Sequence, residues 1–308
     1  MASREEFIKL RNDLYDCMYE KSENGLQIIV ESLAWNDSVY RTFNQGLGLS
    51  QSKDRAQRLP ASLIEYIHHA HTAYVAISLR KLYEDKKQGS RAVNSLRTVT
   101  KRIFDNAHLF TRENFVTFDG IPYDEDHGLD WETKALVQAR HTQFDALCRI
   151  GAGERRRKTD RLDPTIPDML HMRTALSPKI EIYANKFLAH SSSISNRPDE
   201  QLTLQGVTLG RFQTQYRNII WSTQQIAKFL CEAFLSLVPT PQFDVLMNWE
   251  SGMFDISTKK KLTVYWTERM EWWRKWTDYY RQGYQIFTSP SARPKEGRTQ
   301  QLREPDAV

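Results

Sequence analysis

The chain has 308 residues, 40% hydrophobic and 26% charged, which excludes collagen-like and wholly disordered compositions and leaves room for one large domain or two ordinary ones. Forty-three Lys and Arg against thirty-eight Asp and Glu leave +5, a mild basic excess compatible with a polyanionic partner. Three cysteines (Cys17, Cys148, Cys231), widely spaced and without a CxxC, build neither a disulfide framework nor a zinc knuckle. The charged start lacks a signal-peptide apolar core, and Lys228 and Glu232 interrupt the most apolar late stretch, so a cytoplasmic protein that does not enter membranes is expected.

Only 13 Gly and 11 Pro leave space for long helices. Phe7, Leu10, Leu14 and Cys17 follow helical spacing, and Ile28, Leu33 and Trp35 predict a second helix. From Pro60 to about Glu84 the pattern is apolar on two faces. One carries Leu63, Ile67, Ala70, Tyr74 and Ile77; the other carries Ile64, Val75, Leu79 and Leu82, which predicts a helix in the middle of a bundle. Ser90 is the candidate cap of the next helix, with Val93, Leu96, Val99, Ile103 and Phe104 on it. Residues 111–130, with Gly120, Pro122 and Gly128, read as a loop.

A helix follows from Trp131 to about Ile150, ended by Gly151 and the basic run Arg155, Arg156, Arg157, Lys158; Pro164 and Pro167 mark a fresh start. Leu176, Ile180, Tyr183, Phe187 and His190 share one helical stripe. A long helix from about Leu209 to Leu237 turns Phe212, Tyr216, Ile219, Ile226, Phe229 and Leu230 inward. No stretch alternates with period two, so an all-α antiparallel bundle over residues 1–238 is expected. Residues 239–288 hold five of the eight tryptophans and read as an aromatic-rich helical extension packing on the bundle or on a dimer partner; residues 289–308 read as a disordered tail.

The passage with the most chemistry is Glu181-Ile-Tyr-Ala-Asn-Lys-Phe-Leu-Ala-His190. On spacing alone, a single histidine on an apolar stripe is more often a core residue than a catalyst. The passage nevertheless resembles the active-site helix of the HEPN superfamily, whose signature is Arg, four to six residues, then His, with a polar residue after the Arg. Asn185, Lys186 and His190 stand at matching places, while Ala184 stands where the Arg belongs. A second passage, Ala76-Ile-Ser-Leu-Arg-Lys-Leu-Tyr-Glu-Asp85 followed by residues 90–96, is similar to the middle helices of a HEPN branch associated with abortive phage infection. The resemblance spans roughly residues 60–235.

That resemblance implies a metal-independent endoribonuclease, a toxin or antiviral defence effector without cofactors, in which the substrate's 2′-hydroxyl attacks the adjacent phosphate. It makes His190 the proton-transfer group and Asn185 its neighbour in the site; Lys186, Arg155, Arg156, Arg157, Lys158 and Arg211 become candidate RNA contacts. An imidazole titrates near neutrality, and a helix C-terminus favours its protonated form. On an ideal helix positions 184 and 190 lie about 9 Å apart along the axis and about 120° apart around it, so the site is expected to be shared by a homodimer with its two His190 side chains facing one cleft. An antitoxin or other defence partner belongs to the same expectation. Ala184 is open to two readings: a native departure, giving a non-catalytic RNA- or protein-binding module, or an introduced Arg-to-Ala change that silences a nuclease.

Other groups have weaker patterns. His68, His69 and His71 lack the paired Cys or carboxylate of a metal site. Asp119, Asp124, Glu125, Asp126 and Asp130 around His127 do not follow calcium-loop spacing and read as a solvated acidic loop.

Overall fold

The computed structural model describes residues 3–19, 25–50, 60–84, 94–124, 128–184, 209–231 and 256–286. Over these residues the chain is all-α. Ten helices follow one another: α1 Arg4–Tyr19, α2 Leu26–Ser50, α3 Ala61–Tyr83, α4 Leu96–Asp105, α5 Arg112–Thr117, α6 Trp131–Cys148, α7 Thr165–Arg173, α8 Pro178–Tyr183, α9 Leu209–Phe229 and α10 Ile256–Ile286. No strand forms among the described residues; one isolated antiparallel bridge joins Thr111 and Arg161. No described helix is long and apolar enough to cross a membrane.

The helical stripes point where their spacing says. Phe7, Leu10, Leu14 and Met18 of α1 are buried, with Cys17 at the margin. Phe212, Tyr216, Ile219, Ile226, Phe229 and Leu230 of α9 all enter the same continuous core. Phe110 links α1 to α9, edge-on to Phe7 at 5.3 Å and to Phe229 at 5.2 Å, geometries that suit the ring quadrupoles. Arg11 donates from Nη2 to the Leu230 carbonyl at 2.7 Å, satisfying an orphan group at the α9 C-terminus. Helix α9 stops at Phe229, and Cys231 takes a left-handed conformation at φ 56°, so the regular helix ends well before Leu237.

Four expectations need correcting. The helix after α3 is capped by Ser95, not Ser90: its Oγ accepts from the Thr98 amide at 3.0 Å and donates to the Glu84 carbonyl at 2.6 Å. Phe104, placed inward by the pattern, is 49% exposed. Within 111–130 the chain forms α5, started by Thr111, which caps Asn114. Six residues are too few to show a period, and what holds them is a charge. The fourth correction concerns α3, which buries Val75, Leu79 and Leu82 but leaves Leu63 at 39% and Ile77 at 47% exposure. It is therefore sandwiched on one face only, against α2, α4 and α8.

The charge that fixes α5 belongs to Arg112, which has no exposed side-chain surface. Its guanidinium meets Asp145 of α6 at 2.8 Å and Asp160 of the following loop at 2.6 Å, and donates to the His141 carbonyl at 3.3 Å. The Phe144 ring lies beneath it at 5.1 Å. The loop is bound a second time through backbone bonds from the Arg112 amide to Asp160 and from the Leu162 amide to Phe110.

The aromatic C-terminal helix packs on the bundle, along α2 and α9. Trp266 and Trp273 are both 2% exposed. The seam contains a second buried charge cluster: Asp37 of α2, wholly buried, receives Arg41 at 2.9 Å and Arg269 of α10 at 3.0 Å. Trp273 Nε1 donates to Ser38 Oγ at 3.0 Å. The proposed start of the extension at 239 and the tail 289–308 lie outside the described residues.

Replacing Arg112 by methionine keeps volume but strands two buried carboxylates, one of which retains Arg155. The expected cost is about 3–5 kcal/mol, read from the urea midpoint at constant m-value. A cost below about 1 kcal/mol would show that the cluster is not structurally required.

Candidate functional site

Helix α8 opens with Pro178 at its first position, where a missing amide costs nothing. Ala184 continues the helical backbone at φ −61°, ψ −41°, and its amide donates to the Glu181 and Ile180 carbonyls. Ile180 lies one turn earlier on the same face and is fully buried; Ala184 is 1% exposed and belongs to the same apolar core. The motif's arginine position thus starts from an inward-facing site, where an arginine side chain would have to run out of the core to place its guanidinium. Asn185, Lys186, Phe187 and His190 lie outside the described residues, as does the side chain of Arg211 in the first turn of α9.

The basic run is described in full, and its members differ. Arg155 chelates Asp145, with Nη2 at 2.7 Å and Nε at 3.0 Å, extending the Arg112 cluster. Arg157 pairs with Glu113 of α5 at 2.7 Å and lies over the Tyr123 ring at 4.7 Å. Arg156 anchors the turn through its amide, which donates to Asp160 at 2.8 Å, and the Lys158 carbonyl accepts from Arg161 at 2.8 Å. The side chains of Arg156 and Lys158 point to solvent. Two of the four cations are therefore already matched by acids, and a polyanion would find chiefly Arg156, Lys158 and the exposed Arg161.

Two of the three α3 histidines have structural partners. His68 Nδ1 meets the Tyr40 hydroxyl at 3.1 Å, and His71 stacks flat on the Tyr40 ring at 3.7 Å. Burial pushes His71 down to about 4, so it is neutral at pH 7. His69 is exposed. No group of three or more His, Cys, Asp or Glu among the described residues is arranged to hold a metal ion. In the acidic loop, Asp119 is bound by Arg140 through two bonds of 2.7 and 2.6 Å, and this pairing holds its carboxyl below the usual carboxylate range. Residues 125–127 lie outside the described residues. A groove of about 490 Å³ runs between α2 and α3, bordered by Val39, Phe43, Tyr66 and His71.

No protein-family model matches this chain, no curated protein matches it, and no solved structure matches it.

Sequence reasoning missed Arg112, Asp145 and Asp160 as a cluster, and Asp37 with Arg41 and Arg269. The local signals these clusters offer are Asp37 at an inward position of the α2 stripe and Arg41 four residues after it.

His71 yields a pH prediction. Its folded value near 4 lies below the ordinary 6.5, so the folded state resists protonation that the unfolded chain accepts. The stability associated with neutral His71 is complete above pH 6.5 and is lost as pH falls toward 4, by about 3 kcal/mol in all. His71→Phe should flatten the urea midpoint between pH 7 and pH 4; an unchanged slope would rule His71 out as the source.

Proposed function

We propose that this chain is a HEPN-type protein acting on RNA: a metal-independent endoribonuclease of the toxin or anti-phage defence kind, impaired here by alanine at the motif's arginine position. The run Ala184-Asn185-Lys186-Phe187-Leu188-Ala189-His190, continuing directly from α8, carries the proposal. In the reaction the substrate's 2′-hydroxyl loses its proton and attacks the adjacent phosphorus, the bond to the 5′ oxygen breaks, and that oxygen takes up a proton. The products are a 2′,3′-cyclic phosphate and a free 5′-hydroxyl. His190 is the residue suited to move a proton at either oxygen. A guanidinium at 184 would stabilise charge gathering on the phosphate, a contribution of about 10²–10³ in rate that alanine does not make. A homodimer, an antitoxin or defence partner, and a cytoplasmic site of action complete this reading.

A second reading, a non-catalytic helical module that binds RNA or a protein, is favoured by the burial of Ala184 in the core. One substitution separates the two. As a nuclease, Ala184→Arg gains EDTA-insensitive cleavage of total RNA at least about 100-fold above the unchanged chain, with cyclic phosphate ends, and His190→Ala abolishes it. If Ala184→Arg remains folded by circular dichroism and inert between pH 6 and 8, the nuclease reading falls. Should the arginine unfold the protein, His190→Ala in the unchanged chain is decisive: residual cleavage with cyclic ends disappears under the nuclease reading, and a chain with no residual cleavage refutes it.

RNA binding has its own signature. Changing Arg156 and Lys158 to alanine should lower the slope of log affinity against log salt by about 1–2, whereas Arg155→Ala should act mainly through stability. Equal effects on binding from all three would contradict the division of the basic run.

A further inference from the structure

The seam between α2 and α10 holds more positive charge than it neutralises. Among the described residues, Asp37 is the one carboxylate that acts on its two cations, Arg41 and Arg269, and both bind it. Two guanidinium groups against one carboxylate leave +1 where Asp37 is wholly buried and Arg269 is 8% exposed. Nearby groups do not correct the sum: His71 is neutral at pH 7, and burial holds the Tyr216 hydroxyl protonated. Burial pulls Arg269 below the ordinary arginine range in spite of Asp37, and Arg41 acts in the same direction. A guanidinium does not shed its proton in a protein, so the excess charge stays.

The same seam holds donors with nothing to donate to. Arg41 Nη2, Arg269 Nε and Trp266 Nε1 are buried and have no hydrogen-bond partner. Both arginines meet Asp37 side-on: Arg41 uses Nε, at 2.9 and 3.0 Å, and Arg269 uses Nη2, at 3.0 Å. Nε and Nη2 form one edge of the planar fork, so each arginine keeps its second donor on the edge that faces the carboxylate. Trp266 is 2% exposed and stands three residues before Arg269, on the same face of α10. Water would satisfy these donors but leave the charge; an anion answers both. We propose that the seam binds one small monovalent anion of the chloride class, held by Arg41 Nη2, Arg269 Nε and Trp266 Nε1 beside Asp37. A single excess charge matches a monovalent ion and not a dianion such as phosphate. Trp273 clamps α10 to Ser38 at 3.0 Å in the same seam, which favours a single-atom ion over an organic one. The ion joins α2 to α10, so it belongs to the folded state alone.

This inference does not rest on the ribonuclease reading, and its test reads folding, not cleavage. Urea unfolding of the full chain is followed at pH 7 in sodium chloride and sodium gluconate, mixed at constant ionic strength. One ion bound only by the folded state raises the folding constant in step with chloride, by up to about tenfold between 10 and 100 mM. Arg269→Gln removes the excess charge and should cut that response to less than about twofold. Asp37→Asn leaves two cations without their carboxylate and should move the half-effect to chloride at least about tenfold lower. Should either variant fail to fold, Trp266→Phe keeps a ring and drops one donor, and its half-effect should rise about fivefold. An equal folding constant in the two salts overturns the proposal, and is the result expected if a carboxylate from residues 232–255 stands in place of the ion. A full chloride response in Arg269→Gln overturns it as well.

Discussion

Arg112 is the constraint on which the middle of this molecule depends. A guanidinium with no exposed surface requires compensation on every side, and it receives it from Asp145 on α6, Asp160 on the loop and the His141 carbonyl. A six-residue helix cannot persist on its own hydrogen bonds, so α5 exists because these partners hold its first residue in place. The same carboxylates dictate the shape of residues 149–163: Asp145 also takes Arg155, and Asp160 also accepts from the Arg156 amide. The face that the basic run shows to solvent is thus decided in the interior.

This bears on what the basic run can do. A run of four cations in sequence suggests four equal contacts to a polyanion. In the fold, Arg155 and Arg157 neutralise acids, and Arg156 and Lys158 project outward. Electrostatic reach over a Debye length of about 8–10 Å depends on the local sum of charges, not on the count of cations, so the turn is a weaker attractor than its sequence implies.

Much of the architecture was legible because it rests on period alone. The stripe of α9, the onset of α6 at Trp131 and the fresh start at Pro164 follow from apolar spacing and helix punctuation. The inward packing of Trp266 and Trp273 follows from the cost of leaving large rings in water. Illegible features were those decided by distant partners. Period shows that α3 is apolar on two faces, but it cannot say which face the chain itself covers. Nothing near Asp37 points to Arg269, 232 residues away. The motif around His190 was readable only by resemblance, because a single histidine on an apolar stripe carries no chemistry of its own. Ala184 was read only as the arginine position of that motif, and its burial beside Ile180 shows only once α8 packs on the core.

The long sequence interval spanned by Asp37 and Arg269 has a consequence for biogenesis. Asp37 is wholly buried in the finished fold, yet during synthesis Arg269 is made 232 residues later. At about 5–20 residues per second the gap is roughly 10–50 s, during which Arg41 serves the carboxylate without Arg269 and the surface under Trp273 lies open. The N-terminal helices can collapse early through local contacts, but they reach their final state only when the last helix closes over them. A nascent chain truncated before α10 would present that uncovered strip to chaperones and proteases, so the C-terminal helix acts as the molecule's own certificate of completion.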